Sequence, residues 1–285
     1  MIIDNKLQAK APDTFPMSAE DFTQIDSTFV YWLTGAGIML NSRGTIILVD
    51  PILSLISEDP PLSEVEGTPQ YTMPPIMAKE VIRANAVLYT HADADHLGDI
   101  TVKELAKKGV VFHGTPKVKE RLLEIGISED RIVAHPPKDR FLIGCVEIQM
   151  TAADHPWQID YPETQPYVYK PEDCCGYKFY TPDGVVWDPG DSRLLDEHFD
   201  NSDVDLMFMD FENNSPQHHF GTENALKLAN YLLNADIIMF HWGTYYAPEK
   251  PWYAADPNAV RDRIERKERF MEPHPGEKVI INYIK

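Results

Sequence analysis

Between Thr90 and Asp99 the chain reads Thr-His-Ala-Asp-Ala-Asp-His-Leu-Gly-Asp, directly after the apolar run Ala86-Val87-Leu88-Tyr89. Side chains two apart in extended chain share a face, so His91, Asp93 and Asp95 can converge on one point, and a turn at Asp95 brings His96 alongside. Imidazole nitrogens and carboxylate oxygens gathered in this way are metal ligands. A polar loop that only capped the helix expected near Ile100 would need one aspartate, not three acids flanked by two histidines.

A cluster of this kind at a strand end needs further ligands from later loops, and three stand in suitable places. His155 follows a strand, with Asp154 beside it as a competing donor. Asp191 follows a buried run, and Gly190 before it permits a close backbone approach; its alternative role is to cap a helix starting near Arg193. His241 ends the apolar run Ile237-Ile238-Met239-Phe240, where a capping or core histidine is the ordinary alternative. His218 and His219 are candidates for substrate contact or for protonating a leaving group, and exposed loop histidines would read the same way. Trp157, Tyr161, Tyr167 and Tyr169, with Trp242, Tyr245 and Tyr246, could wall a pocket over the metals, with Trp242 a candidate substrate contact. Packing of an irregular loop would explain these aromatics equally well. Cys174 and Cys175 have no helix start or basic neighbour to stabilise a thiolate, so they are expected to be structural.

These residues need a scaffold of strands whose ends meet. Two β-rich runs over 29–40 and 45–49, separated by Asn41-Ser42-Arg43-Gly44, predict a hairpin. The stretch 53–75 is rich in Pro, Ser and Glu, carries no periodicity and reads as a surface excursion. Strands and helices then alternate: extended 86–89, helical 100–108, extended 110–112, helical 117–125. A strand pair over 141–152 and 176–187 brackets a segment crowded with Pro and aromatic residues, and 156–175 is a candidate lid. The last third predicts strands at 206–211, 237–240 and 279–283 and helices at 223–233 and 257–269. No internal repeat or flexible linker marks a boundary, so a single domain over 1–285 is expected, an α/β layered sandwich.

The spaced set resembles the metallo-β-lactamase superfamily, whose motif runs His-x-His-x-Asp-His followed by a distant His, an Asp and a final His. This resemblance spans most of the chain and implies a four-layer αββα sandwich. Within it, Trp32-Leu33-Thr34-Gly35-Ala36-Gly37, Ile46-Ile47-Leu48-Val49-Asp50-Pro51, Gly190-Asp191-Ser192, Phe211-Glu212-Asn213-Asn214 and His241 look like the L-ascorbate-6-phosphate lactonase branch. The resemblance implies that His91, Asp93, His155 and Asp191 hold one divalent metal and Asp95, His96, Asp191 and His241 a second, with Asp191 bridging. The sequence departs from the motif at Asp93, where an imidazole is usual. An oxygen ligand there shifts preference toward Mn²⁺ or Fe²⁺ without excluding Zn²⁺.

Two cations about 3.5–4 Å apart can share a hydroxide at neutral pH and polarise a substrate oxygen. The expected activity is therefore metal-dependent hydrolysis by a metal-bridging hydroxide on a lactone or phosphorylated sugar-acid-type substrate, with Asp95 and His219 in catalytic roles. The alternatives are a phosphodiesterase or amidase on the same site, or a di-iron redox enzyme. With 26 basic against 45 acidic side chains, a formal −19, the chain repels nucleic acid and anionic membranes, so a small-molecule substrate is expected. Three cysteines cannot make an even disulfide framework, and no apolar run reaches the roughly 20 residues needed to span a bilayer, which predicts a cytoplasmic protein. The lactonase-like branch leaves a homo-oligomer as an open expectation.

Overall fold

Alternation with period two runs through the first strands and sends successive side chains into two different cores. Val30 and Trp32 pack between the sheets, whereas Tyr31 and Leu33 pack on the opposite face against helices. A strand with both faces buried needs a second layer on each side, and this chain supplies them. The computed structural model describes residues 8–57, 64–65, 68–163, 167–212, 216–246 and 255–283.

Two seven-stranded sheets face one another. The first runs Val279–Ile281, Thr28–Thr34, Gly37–Ser42, Thr45–Val49, Ala86–Leu88, Val111–Gly114, Ile132–Ala134. The second runs Arg140–Ile143, Val146–Ala152, Cys175–Thr181, Gly184–Asp188, Leu206–Met209, Asp236–Met239, Phe270–Met271. Helices α1 (Asp99–Ala106) and α2 (Pro116–Ile125) contribute Val102, Leu105, Val118 and Leu122 to the core outside the first sheet. Helix α3 (Gly221–Tyr231) packs Ala225, Leu226, Leu228 and Ala229 against the second. The expected αββα layering follows. Each sheet begins as an antiparallel meander and ends in parallel strands, so the pairing pattern repeats although no repeat is visible in the sequence.

Four expectations need correction. The run 29–40 is a hairpin rather than one strand: Thr34 and Gly35 have φ of 91° and 51°, and a Cβ on Gly35 would lie 2.4 Å from Tyr245 Oη. The Arg43-Gly44 turn is where it was expected, with φ of 51° and 89° matching the twist of the flanking strands. The runs 141–152 and 176–187 are likewise two hairpins, turning at Gly144-Cys145 and at Pro182-Asp183. The stretch 53–75 is not simply a surface excursion. Leu53, Gln70 and Thr72 are buried, and Tyr71 N–H donates to the Thr244 carbonyl at 2.8 Å, tying this stretch to the loop after His241. Residues 58–63 and 66–67 of that stretch lie outside the described residues.

The helix expected over 257–269 is broken into Pro257–Val260 and two short 3₁₀ turns. Tertiary contacts override a favourable local propensity here. Asn230 on α3 clamps the passing backbone, donating to the Arg263 carbonyl at 2.9 Å and accepting from Glu265 N–H at 2.8 Å. Arg269 is buried and donates to the carbonyls of Ala229, Leu232 and Ala235 at the end of α3. A cation at that end also suits the helix dipole.

One half-buried histidine should give the fold a pH dependence. His113, on the strand beside Ala86–Leu88, contacts His135 Nε2 at 2.9 Å and stacks on Phe141. Burial, and then the neighbouring His135, push its pKa down to about 4. Because the folded value lies below the unfolded one, the contribution is complete above about pH 6.5 and is lost as pH falls toward 4, up to about 3 kcal/mol. Urea unfolding at pH 7.5 and 5 should show that loss, and His113→Gln should shrink the difference between the two. An unchanged difference would remove His113 as its source. Among the described residues, no helix is long and apolar enough to cross a membrane.

Candidate metal centre

The strands Thr45–Val49 and Ala86–Leu88 run parallel, as do Gly184–Asp188, Leu206–Met209 and Asp236–Met239. Their C-terminal ends therefore open on one rim of each sheet. Asp50, the His91–His96 loop, Asp191, Asp210, Glu212 and His241 follow those ends directly, and His155 follows Val146–Ala152. Topology alone thus gathers residues spread over most of the chain.

The geometry brings together every metal ligand expected from the sequence. His91, His155 and Asp191 form one group with donor atoms within 4.8 Å of one another, and Asp95, His96 and His241 form a second. Asp93 joins the first group, its Oδ2 lying 3.2 Å from His91 Nε2 and 3.5 Å from His155 Nε2. Asp191 sits between the groups. Its Oδ2 is 3.2 Å from His96 Nε2 and 4.0 Å from His155 Nε2, and its Oδ1 is 3.9 Å from His241 Nδ1.

Three of the histidines commit Nδ1 to the protein and turn Nε2 toward the centre. His91 Nδ1 faces Thr90 Oγ1 at 3.0 Å, His96 Nδ1 faces Asp50 Oδ2 at 2.8 Å, and His155 Nδ1 donates to the His218 carbonyl at 2.8 Å. Such partners fix tautomer and ring orientation in metal sites. The Nε2 atoms of His91 and His96 are buried and make no hydrogen bond to a described residue. Inward-facing imidazole nitrogens without a hydrogen bond, ringed by carboxylates, fit a divalent cation.

The charges agree. Burial alone would raise the Asp191 carboxyl, but His96, His219 and His241 hold it well below its usual range, and His91 and His155 do the same for Asp93. Burial pulls His96 down, yet Asp191 and Asp50 outweigh it and raise the ring's pKa; His155 and His241 are raised in the same way by Asp93, Asp191 and Asp210. A cation entering the site must displace those protons, so its affinity should fall with pH. Asp188, beneath the site, is pushed up to about 7 by burial and by Asp50. Two of the rim residues carry backbone strain: Asp50 and His241 both have positive φ, 43° and 60°, unusual for residues with a side chain.

A profile of the β-lactamase superfamily domain matches residues 45–242. The chain belongs to this superfamily. Among solved structures, the superfamily chain is similar to a metallo-hydrolase from Ignicoccus hospitalis, with 17% identity, TM-score 0.66, and coverage of 90% of this chain and 100% of that one. It is similar to an isothiocyanate hydrolase from Delia radicum gut bacteria, with 16% identity, TM-score 0.68, and coverage of 88% and 98%. A diiron β-hydroxylase from Streptomyces venezuelae has 13% identity and TM-score 0.60, covering 89% of this chain and 54% of that one. At these identities the likeness shows the fold that superfamily members share.

The competing roles resolve as follows. Asp154 is turned away to pair with Arg193 at 2.6 Å, leaving His155 as the donor. No helix begins at Arg193, so Asp191 caps none. His218 and His219 are buried rather than exposed. His219 faces the centre, with Nε2 3.8 Å from Asp191 Oδ2, while the His218 side chain meets Asp160 Oδ2 at 3.0 Å. Trp242 packs in the core, stacked on Trp32 at 6.1 Å. Tyr245 is also buried, and Tyr246 packs edge-on against Tyr71. Cys174 and Cys175 are buried thiols whose pKa values burial pushes up, as inert structural cysteines require. Residues 164–166 of the 156–175 segment, and Asn213 and Asn214, lie outside the described residues.

Sequence reasoning missed Asp50, Asp210 and Glu212 as parts of the centre. Asp210 and Glu212 form a further group with His219, and their carboxylates lie 3.8 and 3.9 Å from His241 Nδ1. Their position at the end of a buried parallel strand, like that of His91 and His241, was the available signal.

Proposed function

We propose that this protein is a metal-dependent hydrolase that holds two divalent cations, manganese, zinc or iron, and acts on a lactone or phosphorylated sugar-acid-type substrate. The observation that carries the reading is the convergence of His91, Asp93, Asp95, His96, His155, Asp191 and His241 around the orphaned Nε2 atoms of His91 and His96. When bound, the cations supply an activated water at neutral pH and draw charge from the substrate oxygen. The motifs of the lactonase-like branch support the substrate class.

The chain's own groups carry the remaining work. Asp95 is the most exposed of these carboxylates, with 28% of its side chain accessible, so it can face solvent and substrate and take up the proton of the attacking water. His219 has Asp210 Oδ2 3.5 Å from Nδ1, which fixes its ring so that Nε2 points at the centre, the placement of a donor to the leaving oxygen. His218, against Asp160, borders the 156–175 segment where a substrate would be covered. The hydroxyl beside Asp191 is already engaged: Ser192 Oγ accepts from Asp154 N–H and donates to the Arg193 carbonyl.

Elemental analysis of protein purified without added metal should find two Mn, Zn or Fe per chain. A lactone and phosphodiester panel should then give turnover that Asp95→Ala lowers at least about a hundredfold. Unchanged turnover in that variant would refute the reading. A second reading, di-iron redox chemistry, is favoured by the oxygen-rich donor set of Asp93, Asp95, Asp191, Asp210 and Glu212. An iron pair with an oxidisable visible band would support it; colourless protein with hydrolytic turnover would exclude it.

A further inference from the structure

We propose that Tyr169 is a positioning residue for the metal centre, tying down one oxygen of Asp93 so that this carboxylate presents a single donor atom to a cation. The inference rests on the dinuclear reading above and names a residue outside the ligand set. Tyr169 Oη donates to Asp93 Oδ1 at 2.8 Å, while the other oxygen, Oδ2, faces His91 Nε2 and His155 Nε2 at 3.2 and 3.5 Å. A carboxylate with both oxygens free can chelate a cation through two atoms or rotate between states. One whose second oxygen accepts a phenol proton behaves as a one-point ligand of fixed direction, and outer partners of this kind tune metal affinity.

The phenol is aimed from a built platform. Tyr169 is buried with Ala153 and Cys174 in a small core of their own, against Ala92 and Trp157, and its ring meets His91 edge-on at 6.2 Å. Its backbone N–H donates to the side-chain carbonyl of fully buried Gln158 at 3.0 Å. On either side, Tyr167 Oη and Lys170 N–H both donate to Asp173 Oδ2, at 2.7 and 2.8 Å. Burial and the Asp93 charge push the phenol's pKa up, so it stays a donor. The Tyr169–Asp93 hydrogen bond thereby ties the 156–175 segment to the centre, beyond any role as a cover.

The test is Mn²⁺ and Co²⁺ titration of the metal-free full-length protein and of Tyr169→Phe, which keeps the ring and removes the donor. One of the two affinities should fall about 10–100-fold, with the other unchanged and the Co²⁺ visible spectrum altered at the weakened position. The double variant Asp93→Ala/Tyr169→Phe should bind no worse than Asp93→Ala alone, because Tyr169 acts only through that carboxylate. Unchanged affinities and spectrum in Tyr169→Phe, or additive losses in the double variant, would overturn the inference while leaving the dinuclear reading intact. Parent protein that binds no metal would overturn that reading and the inference together.

Discussion

Asp191→Ala should strip the protein of at least one metal per chain and lower hydrolytic turnover by about a thousandfold or more. Its carboxylate reaches both donor groups: its oxygens lie near His96, His155, His219 and His241 at 3.2 to 4.0 Å. Removing it would take away the carboxylate placed between the two donor groups, along with negative charge that would draw cations in and offset their mutual repulsion. A metal supplies several kcal/mol of transition-state stabilisation, and each 1.36 kcal/mol is tenfold in rate, so a loss of about three decades follows. Asp191→Asn, which keeps the shape and removes the charge, should fall nearly as far. The backbone should remain in place, because Gly190 is held against Cys175, where an added Cβ would lie 2.5 Å from that residue's carbonyl oxygen. Metal content by elemental analysis and turnover on the best substrate of the panel are the measurements. Retention of both metals and near-parental turnover would contradict the central placement of Asp191.

Asp50→Ala should weaken metal binding about 10–100-fold although Asp50 offers no atom to the ligand groups. It is buried beneath them and accepts from Thr90 N–H at 2.8 Å and Thr90 Oγ1 at 2.5 Å while facing His96 Nδ1 at 2.8 Å. Those contacts fix the His96 tautomer and, through Thr90 Oγ1, the setting of His91. Truncation frees both rings to turn and leaves the buried Thr90 N–H without its acceptor, at a cost of about 1–3 kcal/mol of stability. Asp50→Asn keeps an acceptor and should recover part of both losses. Titration with Mn²⁺ and urea unfolding separate the two effects. Equal affinity in the alanine variant would show that His96 is held by packing alone.

The residues most legible in the sequence were those whose chemistry is uncommon at a strand end. His91, Asp93, Asp95 and His96 are crowded into six positions, and each of His155, Asp191 and His241 follows a β-rich run, so type and position together singled them out. Asp210 and Glu212 follow a strand as well, but a pair of acids beside a loop is common, and nothing local distinguishes a buried carboxylate from a solvated one. Trp242 took its direction from the fold. An aromatic next to a ligand suggests a pocket wall, and the turn after His241 directs this side chain back into the core.

Local pattern therefore determined the layers, the strand-to-loop positions of the ligands and the acid at Asp93, because hydrophobic period and side-chain chemistry act over a few residues. Hairpins inside the apolar runs, the break in 257–269 and the Tyr169–Asp93 contact came only with tertiary structure. Each depends on what a distant segment presents: Tyr245 against Gly35, Asn230 against the 263–265 backbone, a phenol 76 residues from its carboxylate. Side-chain identity fixes which bonds a residue can make, while the fold fixes which partner is within reach.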